Sequence, residues 1–320
     1  MSTTANWGNL IAPGLRKVMV DEFNRYTPRY PSLFKVNKSS RAYEDDVAVV
    51  GLGKLEETTE SGSVSSEDML QGYKTRYNHK IFRKRVDVSR EAFDDDQYNV
   101  LSKRSAALGK AASRTYDYYA MGDMFRNAFN TAKTSYGDNL PLASTLHTST
   151  FGSSTQSNAS STGVVLSEPN LNTALLAVRE VTDDKGELID FMDAKPILMV
   201  SPYYKKTALE IVGSKYRSQT ADNDMNYYFE NEQIDVMVNP WMSAKSTNST
   251  IGAGTDLYWF VILKGEHDLN FFMRVPFETE AETVKDTQTL SIYGYTRFSY
   301  GWSDWRGVWG SKGDAAAYSS

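Results

Sequence analysis

Between Tyr43 and Val88 apolar residues alternate with polar ones, first at Val47, Val49 and Leu52 and again from Tyr73 onward. This period of two predicts strands over Tyr43–Gly53 and Tyr73–Val88, joined through the polar stretch Lys54–Asp68 into one long hairpin-like excursion. From Asp94 the period lengthens: Leu101, Leu108, Ala112, Tyr119, Phe125 and Phe129 fall near one face of a helix. A single helix over Asp96–Ala132 would measure roughly 55 Å at 1.5 Å per residue, a spine longer than a small core requires. Tyr136–Gly137–Asp138–Asn139 stops it. Farther on, helical and extended patterns alternate, with Leu171–Thr182 and Tyr203–Val212 helical and Pro196–Val200, Ile234–Val238 and Tyr258–Leu263 extended. These predict a compact mixed α/β unit. The run Asn270–Trp309 is strand-rich, alternating over Phe271–Val275 and Leu290–Tyr300, and its strands are long enough to lie beside the spine.

Two segments lack a period. Residues 1–40 are punctuated by Pro13, Gly14, Pro28 and Pro31, which predicts an extended arm with a short helix about Leu15–Tyr26. Its aromatics Trp7, Phe23, Tyr26, Tyr30 and Phe34 need a covering surface, in the same chain or in a neighbour. Ser144–Gly163 holds 7 Ser and 5 Thr among 20 residues, so it has little apolar surface to bury and is expected to be a mobile surface loop.

Charge changes the picture of the hairpin. Tyr43–Asp68 carries eight acids against Lys54, whereas Tyr73–Arg90 carries seven bases against Asp87. Two readings compete: cross-strand pairs inside the hairpin, each worth roughly 0.2–1 kcal/mol, or docking of one copy's acidic limb on another copy's basic limb. On the second reading Glu56, Glu57, Glu60, Arg76, Arg83, Lys84 and Arg85 are candidate intersubunit contacts, with Trp7, Phe23 and Tyr26 of the arm. The whole chain, with 35 basic and 40 acidic residues, has a net charge of −5, so long-range attraction to nucleic acid is not expected of it and any such contact would be weak and local.

No catalytic constellation stands out. Cysteine is absent, which excludes thiol nucleophiles, disulfides and Cys-based metal sites. His79, His147 and His267 lie on three segments without metal-ligand spacing, and a structural role is expected for each. Gly51–Leu52–Gly53 lacks the third glycine of a dinucleotide loop. Asp94, Asp95 and Asp96 read as a cap at the positive end of the spine helix in preference to a metal site. Glu278, Glu280 and Glu282 would share one face of a strand, which suggests an exposed edge or a partner's basic surface. Asn158–Ala159–Ser160 matches a glycosylation acceptor, but Met1–Gly14 lacks the pattern of a secretory signal, so the match is read as chance. No segment has 18 consecutive apolar residues, and no membrane partner is expected. No catalytic residue, cofactor or metal is assigned.

A series of segments carries a resemblance: Gly72–Tyr77, Asp95–Asn99, Asp138–His147, Ser157–Asn158, Thr182–Glu187, Leu198–Pro202 and Asp304–Ser311. In that order they resemble the HK97-type major capsid proteins of tailed phages, and among these the Mu-type major head subunits. The resemblance implies an α+β HK97-like capsid fold: an N-terminal arm (1–40), an extended loop (41–90), a peripheral domain with the spine helix (91–168 and 269–320) and an axial domain (169–268). It implies a non-enzymatic subunit that self-assembles into hexamers and pentamers of an icosahedral shell around double-stranded DNA. Scaffold, portal and decoration proteins would be its partners, the host cytoplasm its place of assembly and the virion capsid its destination. An encapsulin-like compartment of the same fold is the nearest alternative. A carbohydrate-binding protein using Tyr and Trp platforms is a more distant one.

Overall fold

In the computed structural model the helices are α1 (Trp7–Arg25), α2 (Arg90–Asp94), α3 (Val100–Asp117), α4 (Met124–Arg126), α5 (Glu168–Arg179) and α6 (Lys205–Val212). The strands are β1 (Lys35–Lys38), β2 (Tyr43–Val50), β3 (Leu70–Asn78), β4 (Lys80–Ser89), β5 (His147–Thr148), β6 (Thr155–Gln156), β7 (Pro196–Val200), β8 (Asp235–Val238), β9 (Trp259–Leu263), β10 (Leu269–Val284), β11 (Thr289–Trp302) and β12 (Val308–Ser311). The structure describes residues 7–50, 55, 57–59, 66, 70–96, 100–134, 137–150, 155–216, 225–245, 254–284, 287 and 289–315. They form two compact units, the first drawn from Met1–Glu44, Asn78–Ala120 and Phe271–Tyr300, the second from Asp45–Tyr77, Met121–Asn270 and Gly301–Ser320.

The first unit sets α1 and α3 against a sheet of order β1-β10-β11-β4. Leu15 and Met19, four residues apart on α1, bury with Leu101 and Leu108 of α3 and with Val88, Leu290 and Ile292 of the sheet. That shared burial corrects the expected short helix: α1 begins at Trp7 and runs through Pro13, whose missing N–H forfeits one helical bond while the apolar face carries on. The helices meet at Gly109, where a Cβ would lie 2.1 Å from the Met19 carbonyl oxygen. Because that atom is backbone, one helix must shift to admit a methyl group. Gly109→Ala should cost about 1–3 kcal/mol, read as a lowered midpoint of thermal unfolding.

The helix after α2 is shorter than the expected spine. It consists of 18 residues of α-helix (α3), six of π-helix (Tyr118–Asp123) and three of α-helix (α4), roughly 40 Å in all. Asp96 caps it, accepting from the N–H of Val100 and Leu101 at 2.8 and 3.1 Å. Asp94 instead ends α2, where it accepts from Arg90, so only one of the three predicted capping carboxylates caps the long helix. At the far end the Asp123 carbonyl accepts twice from Asn127, from its backbone N–H at 3.2 Å and from its side-chain amide at 2.8 Å.

The expected strand Tyr73–Val88 is likewise two. It breaks at His79, which is buried with Nδ1 2.9 Å from Ser299 Oγ and Nε2 3.0 Å from Ser39 Oγ. Burial pushes its pKa down, with the cations Arg297 and Arg274 adding to the effect. β3 pairs with β2, while β4 pairs antiparallel with β11 from Ser89↔Thr289 to Lys80↔Phe298.

The second unit is built on a sheet of order β12-β9-β7-β8, in which β7 runs parallel to β8 and antiparallel to β9. Every residue of β7 and β9 is buried, which explains their unbroken apolar runs. α5 starts where Ser167 accepts from the Asn170 N–H with Pro169 in its first turn. The sequence placed β7, β8, β9, α5 and α6 within three residues of their observed ends. β12 also belongs to this sheet.

Candidate assembly surfaces

The predicted contact residues have separate fates. Glu56 and Glu60 lie outside the described residues, and Glu57 is exposed. Trp7 opens α1. Phe23 is half-buried in its own chain, stacked on Phe277 with ring centroids 4.6 Å apart. Tyr26 is half-buried too, its hydroxyl donating to Asp117 at 2.7 Å. Burial, with that bond second, pushes the Tyr26 phenol up to about 12. Asp117 is wholly buried and also accepts from the backbone N–H of Arg29 and Tyr30, both at 2.9 Å. The arm is therefore fastened within the first unit by a carboxylate the sequence reading passed over.

Arg76 holds Asp45 across the β2–β3 hairpin through Nε and Nη2, at 2.6 and 2.8 Å, and Lys74 reaches the same carboxylate at 2.8 Å. Here the cross-strand reading of the charge split is correct. Hydrogen bonds from Arg76 and then Lys74 hold the Asp45 carboxyl well below the usual carboxylate range. A depressed carboxylate stabilises the fold above its unfolded value and loses that contribution as pH falls, so the hairpin should loosen below about pH 4. Asp45→Asn should abolish this acid-induced change, followed by hydrogen exchange of the β2–β3 amides.

Arg83, Lys84 and Arg85 are all exposed on β4 but divide between the two faces of its sheet. Lys84 shares a face with Phe82 and lines a groove of about 270 Å³ beside Leu108, Ala111, Ala112 and Thr115 of α3. Arg83 borders the same groove, but strand alternation, with Val86 and Val88 packed toward the helices, sends its side chain and that of Arg85 to the other face.

The remaining notable residues converge in the second unit. His147, expected in a mobile loop, is buried, its Nδ1 donating to Asp138 at 2.7 Å while its ring stacks on Trp305 with centroids 4.5 Å apart. Asn158 is buried as well. Its amide donates to the carbonyls of Leu142 and Val308, and its oxygen accepts from the Ser144 N–H and lies 3.2 Å from His147 Nε2. So placed, Asn158 is no glycosylation acceptor. Arg306 lies over the Trp305 ring, pairs with Asp304 and Asp184 and donates to the Thr182 carbonyl. Burial works against its charge, but the two carboxylates outweigh it and raise its pKa above the ordinary arginine value. Gly307 follows at φ +78°, where a Cβ would also meet the Glu266 carbonyl oxygen at 2.7 Å. The segments Asp138–His147, Ser157–Asn158, Thr182–Glu187 and Asp304–Ser311 thus meet in one buried polar network. This corrects the loop expectation for residues 144–150 and 155–163, which hydrogen bonds anchor in place of apolar burial, while residues 151–154 of that stretch lie outside the described residues.

His267 is buried and its Nδ1 accepts from the Leu269 N–H, so each histidine has structural partners. Among the described residues no group of three or more His, Cys, Asp or Glu is placed to hold a metal ion, and no helix is long and apolar enough to cross a membrane.

The profile of the phage capsid protein family matches residues 72–311. The chain belongs to that family. The match takes in every segment of the polar network and both long strands of the first unit. No curated protein matches the sequence. Among solved structures the chain is similar to the capsid of cyanophage P-SCSP1u, with a TM-score of 0.56 and 15% identity over 89% of this chain and 87% of that one. Against the mature capsid of bacteriophage PhiM1 the TM-score is 0.57, with 12% identity over 89% and 86%. The virus-like particle from Pyrococcus furiosus gives 0.52, with 9% identity over 93% and 98%. The fold is the HK97-like capsid fold, a mixture of helix and sheet. The polypeptide is a phage capsid protein, and its place is the virion shell.

Proposed function

We propose that this capsid protein is the major head subunit, assembling into hexamers and pentamers of an icosahedral shell around double-stranded DNA, and that it has no catalytic role. The family match over residues 72–311 carries the reading. Within the family the collinear segments favour the Mu-type head subunits. The roles follow the resemblance: arm 1–40, extended loop 41–90, peripheral domain 91–168 with 269–320, axial domain 169–268. The compact units group the chain differently, taking residues 301–315 with β7–β9, so the roles describe assembly and not folding. Glu56, Glu57, Glu60, Arg83, Lys84, Arg85, Trp7 and the exposed sides of Phe23 and Tyr26 are the proposed contacts with neighbours. Arg76, already engaged by Asp45, contributes least. Assembly in the host cytoplasm, without a membrane and with scaffold, portal and decoration proteins, completes the proposal.

Purified protein imaged by negative-stain electron microscopy at high concentration, alone and with its scaffold, should form rings, tubes or shells. A strictly monomeric species under every condition overturns the reading. Particles from infected cells that hold an enzyme cargo and no DNA would move the protein to the encapsulin-like alternative.

A further inference from the structure

Burial assigns the two faces of the first unit's sheet. Phe277 and Ala281 of β10, Leu290 and Ile292 of β11 and Val86 and Val88 of β4 pack toward α1 and α3. Alternation sends the intervening side chains to the opposite face. There β10 presents Glu278, Glu280 and Glu282, all exposed, and β4 presents Arg83 and Arg85, also exposed. Tyr295 and Tyr293 of β11 stand opposite Arg83 and Arg85 and separate the two rows. Two strand spacings make that separation roughly 10 Å. Phe277 lies against Gly294, so the acidic row begins about level with these tyrosines. Among the described residues, neither the glutamates nor Arg83 has an ion-pair partner, and Arg85 reaches Asp87 of its own strand at 3.1 Å.

Both rows lie at margins. β4 ends the sheet, and on its far side β10 has only the four-residue β1. One face thus bears unlike charges at opposite margins, a polarity that a second copy placed beside it in the same sense would complement. We propose that Arg83 and Arg85 of one copy dock against Glu278, Glu280 and Glu282 of the next, a head-to-tail contact that sets the register between neighbouring subunits. The inference rests on the shell reading above and supplies the acidic partner for the β4 bases. The competing account is that the charges only keep edge strands from pairing.

Three full-length variants test it: Glu278→Lys with Glu280→Lys and Glu282→Lys; Arg83→Glu with Arg85→Glu; and all five together. Light scattering gives the concentration at which particles form, and thermal unfolding reports on each fold. Each single-row reversal should raise that concentration about tenfold or more, because like charges then meet across the contact. The fivefold variant should return toward wild type. If the single-row variants assemble like wild type, or the fivefold variant does no better than they do, the contact is overturned. Should a reversal prevent folding, Gln at the same glutamates or at the same arginines replaces it, and an assembly threshold that keeps its wild-type salt dependence overturns the contact. A wild-type chain that never assembles fells the shell reading and the contact with it. Wild-type assembly indifferent to the reversals fells the contact alone.

Discussion

Asp117→Ala is expected to release the arm from the first unit and to cost about 3–5 kcal/mol, seen as a lowered urea midpoint and as new proteolytic cleavage between Arg25 and Leu33. The carboxylate has no exposed surface and gathers the Tyr26 hydroxyl and the N–H groups of Arg29 and Tyr30. Removing it strands donors that the arm cannot return to water without lifting Tyr30, itself packed on Phe271 at a centroid distance of 4.3 Å. Asp117→Asn keeps the shape and one acceptor oxygen, so its loss should be smaller. The same anchor predicts an alkaline limit. Burial above all pushes the phenols of Tyr26 and Tyr30 up to about 12. The folded state then holds those protons longer than the unfolded chain does. Their contribution is whole below about pH 10 and is lost as pH rises toward 12. The arm should loosen first in that window, and Tyr26→Phe should blunt the effect.

Asp138→Ala is the second large effect, again about 3–5 kcal/mol. Neither side chain of the Asp138–His147 pair has exposed surface. The variant leaves His147 Nδ1 buried without its acceptor, while the ring stays clamped against Trp305. Since Asn158 holds the Leu142 and Val308 carbonyls from the same site, the disturbance should spread to β5, β6 and β12. Hydrogen exchange should show their amides losing protection together while β7 stays protected. An effect confined to residues 138–148 would mean that the network is not cooperative.

The sequence was legible wherever a period was clean. β7 and β9 are fully buried runs and β11 is a largely alternating one, so hydrophobicity alone located them. It misled where polar chemistry replaced apolar burial. Ser144–Gly163 reads as a mobile surface loop by composition, yet His147 and Asn158 hold residues on either side of 151–154 through hydrogen bonds that have no period. α1 was truncated at Pro13 because a local breaker was weighed without the burial of Leu15 and Met19 against α3. The strand Tyr73–Val88 was read as one because its alternation continues across His79, and a break made by two serine hydroxyls leaves no trace in hydrophobicity. Asp117, the anchor of the arm, sits between two tyrosines in a helical pattern, and nothing in that period marks a carboxylate as buried. The contact residues were legible as charge only: the triplet Arg83–Lys84–Arg85 gave no sign that its middle member faces a groove and its outer two the opposite face.

The pairing of β4 with β11 has a consequence for synthesis. His79 and Ser299 are bonded across 220 residues of chain. At about 5–20 residues per second, roughly 10–45 s separate their emergence from the ribosome. During that interval the apolar faces of α1, β4 and α3 have no completed sheet to cover them. High contact order slows the closing step further. The first unit should therefore gain its protease resistance only after β11 has emerged, whereas β7, β8 and β9, within some 70 residues of one another, can pair well before that.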